Sequence, residues 1–284
     1  MKHDSSRSPA LADGAADSAR AAPVARLSVV AALARVFRAH GVKRMFGVPG
    51  GGSSLDLIQA AERERIDFVL ARHECAAVFM AAASAEIEGG LGVAITTKGP
   101  GTANAANGVA HAALDRTAVA VVTDGFSAQT RSYVTHQWFD QRALLAPVTK
   151  GHNLLDQANA GRAMVELMAL ARQPRRGPVH VELTGSAARG PAGVLPEVER
   201  NPHLPQPSAG ALASAKRLLA SSRRPVVIVG LEAAEPGISR AVRSLVRKLG
   251  CPVLVTYKAK GVVVDGDAFT VGIFTGGAAE QPTV

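Results

Sequence analysis

The chain has 284 residues, of which 47% are apolar types and 19% are charged, enough for one large or two ordinary domains with buried cores. Its apolar segments are short and interrupted, and its N-terminus lacks an apolar signal-peptide region, which excludes a helical membrane protein and points to a cytoplasmic one with no membrane partner. The formal charge of +9 raises a nucleic-acid partner, but Arg and Lys are spread along the chain. The modest clusters near Arg172–Arg176 and Arg217–Arg224 lack interleaved aromatics, so a solvated basic surface is expected and no nucleic acid. Two cysteines, Cys75 and Cys251, sit in separate apolar contexts, form no disulfide framework and fit a reducing compartment.

Residues 1 to 25 are rich in Ser, Ala, Asp and Pro without an apolar period, and a disordered leader is expected there. From Leu27 the pattern becomes regular. Val30, Leu33, Ala34 and Phe37 share one helix face, closed by Gly41. The strand "RMFGV", the loop "PGGGSS" and the helix "LDLIQAAERER" follow, with Ser53 or Ser54 suited to cap that helix. "DFVLA" predicts a strand, and "ECAAVFMAAASAE" a helix built from small residues. "GVAITT" is a strand, "KGPG" a loop, "TANAANGVAHAALD" a helix and "AVAVV" a strand. A long polar loop is expected to about Gln137, then helices near "QRALLAP" and "ANAGRAMVELMALARQ" and the strand "PVHVEL".

Short β-branched strands alternating with helices predict an α/β fold, a doubly wound parallel sheet, over residues 26–185. Residues 186–207, rich in Pro, Gly and charge, read as a linker. A second α/β unit, Rossmann-like, spans 208–284: helix "AGALASAKRLLASS", strand "PVVIVG", helix "SRAVRSLVRKLG", strand "PVLVTY". Two clear strands make it an incomplete domain.

In doubly wound sheets ligands sit at the carboxyl ends of the strands. Three turns occupy that edge: "GVPGGGSS", "RHE" and "TTKGPGTAN". Each alone has a structural explanation, whereas three in register at one edge favour a binding site. Gly99 and Gly101 permit close backbone approach and Pro100 stiffens the turn, with Asn104 in the first turn of the next helix. Glu74, a carboxylate at the mouth of an apolar helix, needs a reason to be there.

"MFGVPGG", "LARHECAAVFMAAASAE", "GVAITTKGPGTANAANGVAHAALDRTAVAVVT" and "HQWFDQRALLAPVTK" resemble the N-terminal, pyrimidine-binding domain of thiamine diphosphate enzymes, in the acetolactate synthase-like group. "PVVIVGLEAA" and "LGCPVLVTYKAKG" resemble the start of that family's central domain. The resemblance implies a 2-oxo acid decarboxylase or carboligase using thiamine diphosphate. It places Glu74 where the family's glutamate hydrogen-bonds the cofactor's aminopyrimidine, and Gln137 where a family glutamine lies near the substrate. It puts Pro49, Gly50, Gly99, Pro100, Gly101 and Asn104 beside the cofactor. It also implies a homo-oligomer, dimer or tetramer, in which the alanine-rich stripe serves either the interface with a partner subunit or core packing within one subunit.

Several positions depart from the family pattern. Lys98 stands where a small hydroxyl residue is usual, Val48 where an aromatic is frequent, Ser84 and Glu86 where Tyr and Arg occur, and Ala118 where proline is common. The family's Mg²⁺ motif, "GDG…N", belongs to a C-terminal domain, and the "DGD" at Asp265–Asp267 reads as a loop. No metal ligand is therefore assigned in this chain. FAD in the central domain is compatible with the resemblance, and no motif supports it. The other expectation is a truncated, non-catalytic paralogue acting as a dimerisation module.

Overall fold

A computed structural model describes residues 27–155, 160–199 and 206–277, and the leader expected over residues 1–25 lies outside them. The chain divides into two compact units, one up to Leu204 and the other from Pro205.

The first unit runs α1 (Val29–Ala39), β1 (Arg44–Val48), α2 (Ser53–Arg63), β2 (Asp67–Leu70), α3 (Glu74–Glu88), β3 (Gly92–Thr96), α4 (Pro100–Leu114), β4 (Val119–Gly125). The short helices α5 (Ala128–Arg131) and α6 (Gln141–Leu145), then β5 (His152–Leu155), α7 (Ala160–Arg172), β6 (Val179–Thr184) and α8 (Gly185–Arg189) complete it. Its six strands pair in the order β2-β1-β3-β4-β6-β5, every pair parallel. Because side chains alternate across a strand, each strand feeds two cores. Val93, Ile95, Ala120 and Val122 pack with α1, α2 and α7, while Phe46, Ala94, Val119 and Val121 pack with α3, α4 and α6. The strand order reverses between β1 and β3, which opens a crevice at their carboxyl ends.

Small residues hold α3 and α4 close together. Ala77, Val78, Ala81, Ala105, Val109 and Ala112 are buried between the helices and the sheet, and Gly108 lies where a Cβ would stand 2.7 Å from the Val78 Cβ and 2.9 Å from the Cys75 carbonyl oxygen. The low aromatic content of the sequence therefore has a structural use here: with small side chains between them, two helices approach at backbone distance.

The elements differ from the sequence expectations at particular places. Neither Ser53 nor Ser54 caps α2; the cap position is Gly52, which offers no side chain, and both serines lie inside the helix bonded to Asp124 of β4. Helix α4 starts at Pro100, two residues early, because Pro is favoured at a first helical position, so Asn104 falls in its second turn. Strand β4 continues to Gly125, beyond the apolar run that marked it. Strand β5 was not expected: its four residues, His-Asn-Leu-Leu, contain no β-branched side chain and sit at the sheet edge. The expected polar loop contains α5. Residues 186–199 include most of α8, and Pro191 bridges to Ser28 ahead of α1.

The second unit contains α9 (Ala209–Ser221), β7 (Val227–Val229), α10 (Pro236–Leu249), β8 (Val253–Val255) and β9 (Thr270–Ile273), with the three strands parallel in the order β7-β8-β9. Strand β9 was not expected either, its pattern being broken by Gly272. Asp265–Asp267 form a turn in which Asp265 lies 3.6 Å from the Lys260 ammonium and Asp267 accepts the Phe269 N–H.

A polar cluster interrupts the first unit's core. His180 on β6 is fully buried, its Nε2 lies 2.9 Å from the Thr123 hydroxyl, and its Nδ1 has no partner among the described residues. The His152 ring is 4.8 Å away, between centroids. Burial, reinforced by His152 and opposed by Glu182, lowers the His180 pKa to about 3. Burial alone would raise Glu182, but His152, Arg131 at 2.7 Å and His180 outweigh it and hold the carboxyl below its ordinary value.

Two tests follow from this packing. Gly108→Ala inserts a methyl group between α3 and α4 and should destabilise the first unit by about 1–3 kcal/mol, read as a shifted urea midpoint. The second concerns acid. Both His180 and Glu182 bind protons more weakly folded than unfolded, so stability should be full above about pH 6.5 and fall as pH drops toward 3. The loss is at most about 1.4 kcal/mol per pH unit for each titrating group. In His180→Gln the His180 part of the slope should vanish, checked by urea unfolding at pH 7.5, 6, 5 and 4.

Candidate functional site

The crevice between β1 and β3 is framed by three segments. The first is Pro49–Gly52 after β1, the second His73–Glu74 at the start of α3, and the third Thr97–Gly101 leading into α4. Each is held by bonds from elsewhere in the fold.

Asp124, buried near the end of β4, accepts hydrogen bonds from the Ser53 hydroxyl at 2.6 Å, the Ser54 N–H at 2.8 Å and the Ser54 hydroxyl at 3.1 Å. A carboxylate from a distant strand thus serves one of the orphan N–H groups at the start of α2, that of Ser54, the role a local cap would otherwise fill. It also fixes Gly50, where a Cβ would stand 2.3 Å from Asp124 Oδ2 and 2.5 Å from the Thr97 hydroxyl oxygen. Any side chain there would push the first loop off the third. Pro49 precedes this contact and is half-buried.

Gln141, the first residue of α6, organises the third segment. Its Oε1 accepts the Gly99 N–H at 2.9 Å and the Thr102 hydroxyl, and its Nε2 donates to the Asp124 carbonyl at 3.1 Å. Gly99 has φ +60°, and a Cβ on it would lie 2.1 Å from the Gln137 carbonyl oxygen. Gln137 itself has φ +58° without being glycine, a conformation its surroundings must impose. The structure therefore brings the Gln137 backbone against the glycine loop, with its side chain exposed.

Glu74 is the first residue of α3 and only 8% exposed. His73 caps the helix, its Nδ1 accepting the Cys75 N–H at 3.1 Å. The Glu74 Oε2 accepts from Asn104 Nδ2 at 3.1 Å, across the close α3–α4 approach. Among the described residues no protein donor reaches Oε1 and no cation pairs with the carboxylate. A Cβ on Gly101 would stand 3.3 Å from Oε1 and 2.4 Å from the Thr96 hydroxyl oxygen, so glycine there keeps one face of the carboxylate open. Pro100, at the first turn of α4, is exposed beside it.

Glu74, Asn104, Gly99 and Gly101 thus meet in one place, with Pro49 and Gly50 on the facing loop joined through Thr97. Sequence reasoning missed Asp124 and Gln141. The signal for Asp124 was an acidic residue ending an otherwise apolar strand, in "AVVTDG". Gln141 left no signal beyond its place at the start of a helix. Among the described residues no cluster of three or more metal-ligating side chains occurs, and no helix is long and apolar enough to cross a membrane.

Residues 27–144 match the family model of the thiamine pyrophosphate enzyme N-terminal TPP binding domain, and residues 212–283 match that of the thiamine pyrophosphate enzyme central domain. The chain is 29% identical to the acetolactate synthase large subunit of Parasynechococcus marenigrum over 257 residues, 87% of this chain and 42% of that protein. It is 32% identical to the catabolic acetolactate synthase of Raoultella terrigena, over 72% of this chain and 37% of that one. With the probable 2-ketoarginine decarboxylase of Pseudomonas aeruginosa the identity is 30%, over 85% of this chain and 44% of the relative. The chain therefore spans less than half the length of the curated relatives it matches. With both family models in chain order, and a parallel sheet of the expected kind carrying the glutamate and glycine loops, the chain belongs to the thiamine pyrophosphate enzyme family.

Proposed function

We propose that the chain is the pyrimidine-binding and partial central region of a thiamine diphosphate-dependent 2-oxo acid decarboxylase or carboligase. The observation that carries this reading is the buried Glu74 carboxylate, with one oxygen held by Asn104 and the other left open beside Gly101. That donor set fits an aminopyrimidine: a flat heterocycle needs a hydrogen-bonding partner for its ring nitrogen and backbone free of side chains against its face. The glycines at 50, 99 and 101 supply the second requirement.

In this reading Glu74 would hold the aminopyrimidine through Oε1, the atom at which it can carry a proton, and Asn104 keeps the carboxylate oriented through Oε2. Burial at the helix mouth keeps water from competing for that bond. When bound, thiamine diphosphate supplies an electron sink at its thiazolium carbon. Gln137, set at the crevice rim by the Gly99 contact, is assigned to the substrate side. The diphosphate and Mg²⁺ are assigned to groups outside the described residues, and flavin is not part of the proposal.

A homo-oligomer, dimer or tetramer, is proposed on the resemblance, with the outer faces of α3 and α4 as the interface. Exposed Phe79, Ile87 and Leu114 on those helices support it. A cytoplasmic location is proposed for the same family reason.

Glu74→Gln keeps the size and one hydrogen bond of the side chain but cannot exchange the proton. In the cofactor-loaded, complete protein its turnover of a 2-oxo acid should fall by about two orders of magnitude or more, the scale of a lost acid/base group. Thermal unfolding of the variant should match the wild type. Turnover near the wild-type rate in a folded Glu74→Gln protein would overturn the assignment.

A further inference from the structure

Lys98 lies in the Thr97–Gly101 segment that frames the crevice, with its ammonium over the Phe126 ring and no part in the proposed cofactor site. We propose that it selects substrates by pairing with a carboxylate that the reaction leaves in place, so that the enzyme favours 2-oxo acids, as donor or acceptor, that carry such a group. The inference rests on the proposed 2-oxo acid chemistry and names the substrate class within it.

The backbone around Lys98 is pinned on both sides. The Thr97 carbonyl accepts from the Thr96 hydroxyl at 3.2 Å and the Thr102 hydroxyl at 3.3 Å, and the Gly99 N–H is held by Gln141. Three residues on, Gly101 faces Glu74. The Lys98 ammonium lies 4.6 Å from the centre of the Phe126 ring, just past the end of β4, so the head group spans the mouth between two strand ends. The residue is half-buried, and among the described residues it forms no ion pair. The nearby Asp124 is already engaged by Ser53 and Ser54.

A half-buried lysine whose ammonium stands over an aromatic face and, among the described residues, meets no carboxylate has room for a counter-charge. At the rim of a ligand crevice, an anion arriving with the ligand supplies it. The group lost as CO₂ is a poor choice for that anion. A cation on the departing carboxylate stabilises the ground state more than a transition state in which the charge is leaving, and so slows the reaction. A carboxylate that survives, whether at the far end of a dicarboxylic donor or on a carboligation acceptor, gives binding without that penalty.

The test measures equilibrium binding to the 284-residue chain by calorimetry, which requires no turnover. The probes are 2-oxoglutarate, with two carboxylates, and 2-oxobutyrate, with one. The wild type should bind 2-oxoglutarate about tenfold or more tightly than 2-oxobutyrate, the scale of one charge-assisted hydrogen bond. Lys98→Met should erase that difference while leaving 2-oxobutyrate and thiamine diphosphate binding unchanged, and Lys98→Arg should keep most of it.

A wild type that does not discriminate overturns the proposal, as does a Lys98→Met protein that still does. Equal loss of both acids would make Lys98 a brace for the loop. Selective loss of thiamine diphosphate would make it a contact for the cofactor, and either result also overturns the proposal. In the complete protein, the specificity constant (kcat/KM) of Lys98→Met with a dicarboxylic donor and with an acceptor separates the two sources. A wild type inactive on every 2-oxo acid tells against the enzymatic reading alone.

Discussion

The site depends on the distance between α3 and α4. A carboxylate at the start of a largely apolar helix is costly to bury unless a donor meets it, and here the donor, Asn104, comes from the neighbouring helix. It reaches Glu74 because Gly108 and the alanines around it let the two helix backbones nearly touch. The same approach fixes where the third loop enters α4, and hence where Gly99 and Gly101 stand. Helix packing and site geometry are one constraint seen at two levels.

A second layer of bonds joins the loops to one another. Asp124 and Gln141 both act at the end of β4: one gathers the start of α2 through its carboxylate, and the other ties the glycine loop to the strand's backbone. Both are buried, so their polar groups must be satisfied internally: loss of the Asp124 carboxylate leaves donors unpaired at the start of α2, and loss of Gln141 leaves those of Gly99 and Thr102 unpaired. The strand lies next to β3 in the sheet, which is why its end can serve both sides of the crevice.

Much of this was legible in the sequence, for identifiable reasons. The parallel sheet could be read because its strands are short, apolar and spaced by helical periods; β3 and β6, buried along their whole length, are the clearest cases. Glu74 stood out because its chemistry conflicts with its apolar neighbours. The failures were of other kinds. Ser53 and Ser54 looked like local caps, and only the tertiary fold shows that their partner is 70 or so residues away. Strand β5 lacks any β-branched residue, and its pairing is supplied by β6 alone. Gln141 makes three buried bonds, yet a glutamine at a helix start carries no pattern that announces them.

The glycine loop also sets how this crevice can change over evolutionary time. At position 99 the space for a side chain is filled by the Gln137 carbonyl, so almost any substitution must dislodge the opposite wall. One residue earlier the backbone is equally fixed, but the side chain projects into the mouth, where its head group reaches Phe126. Neighbouring positions therefore have opposite mutational freedom. A lineage can exchange charge, size or polarity at 98 while the scaffold that holds Glu74 stays put, so new preferences can arise by single steps without a loss of folding.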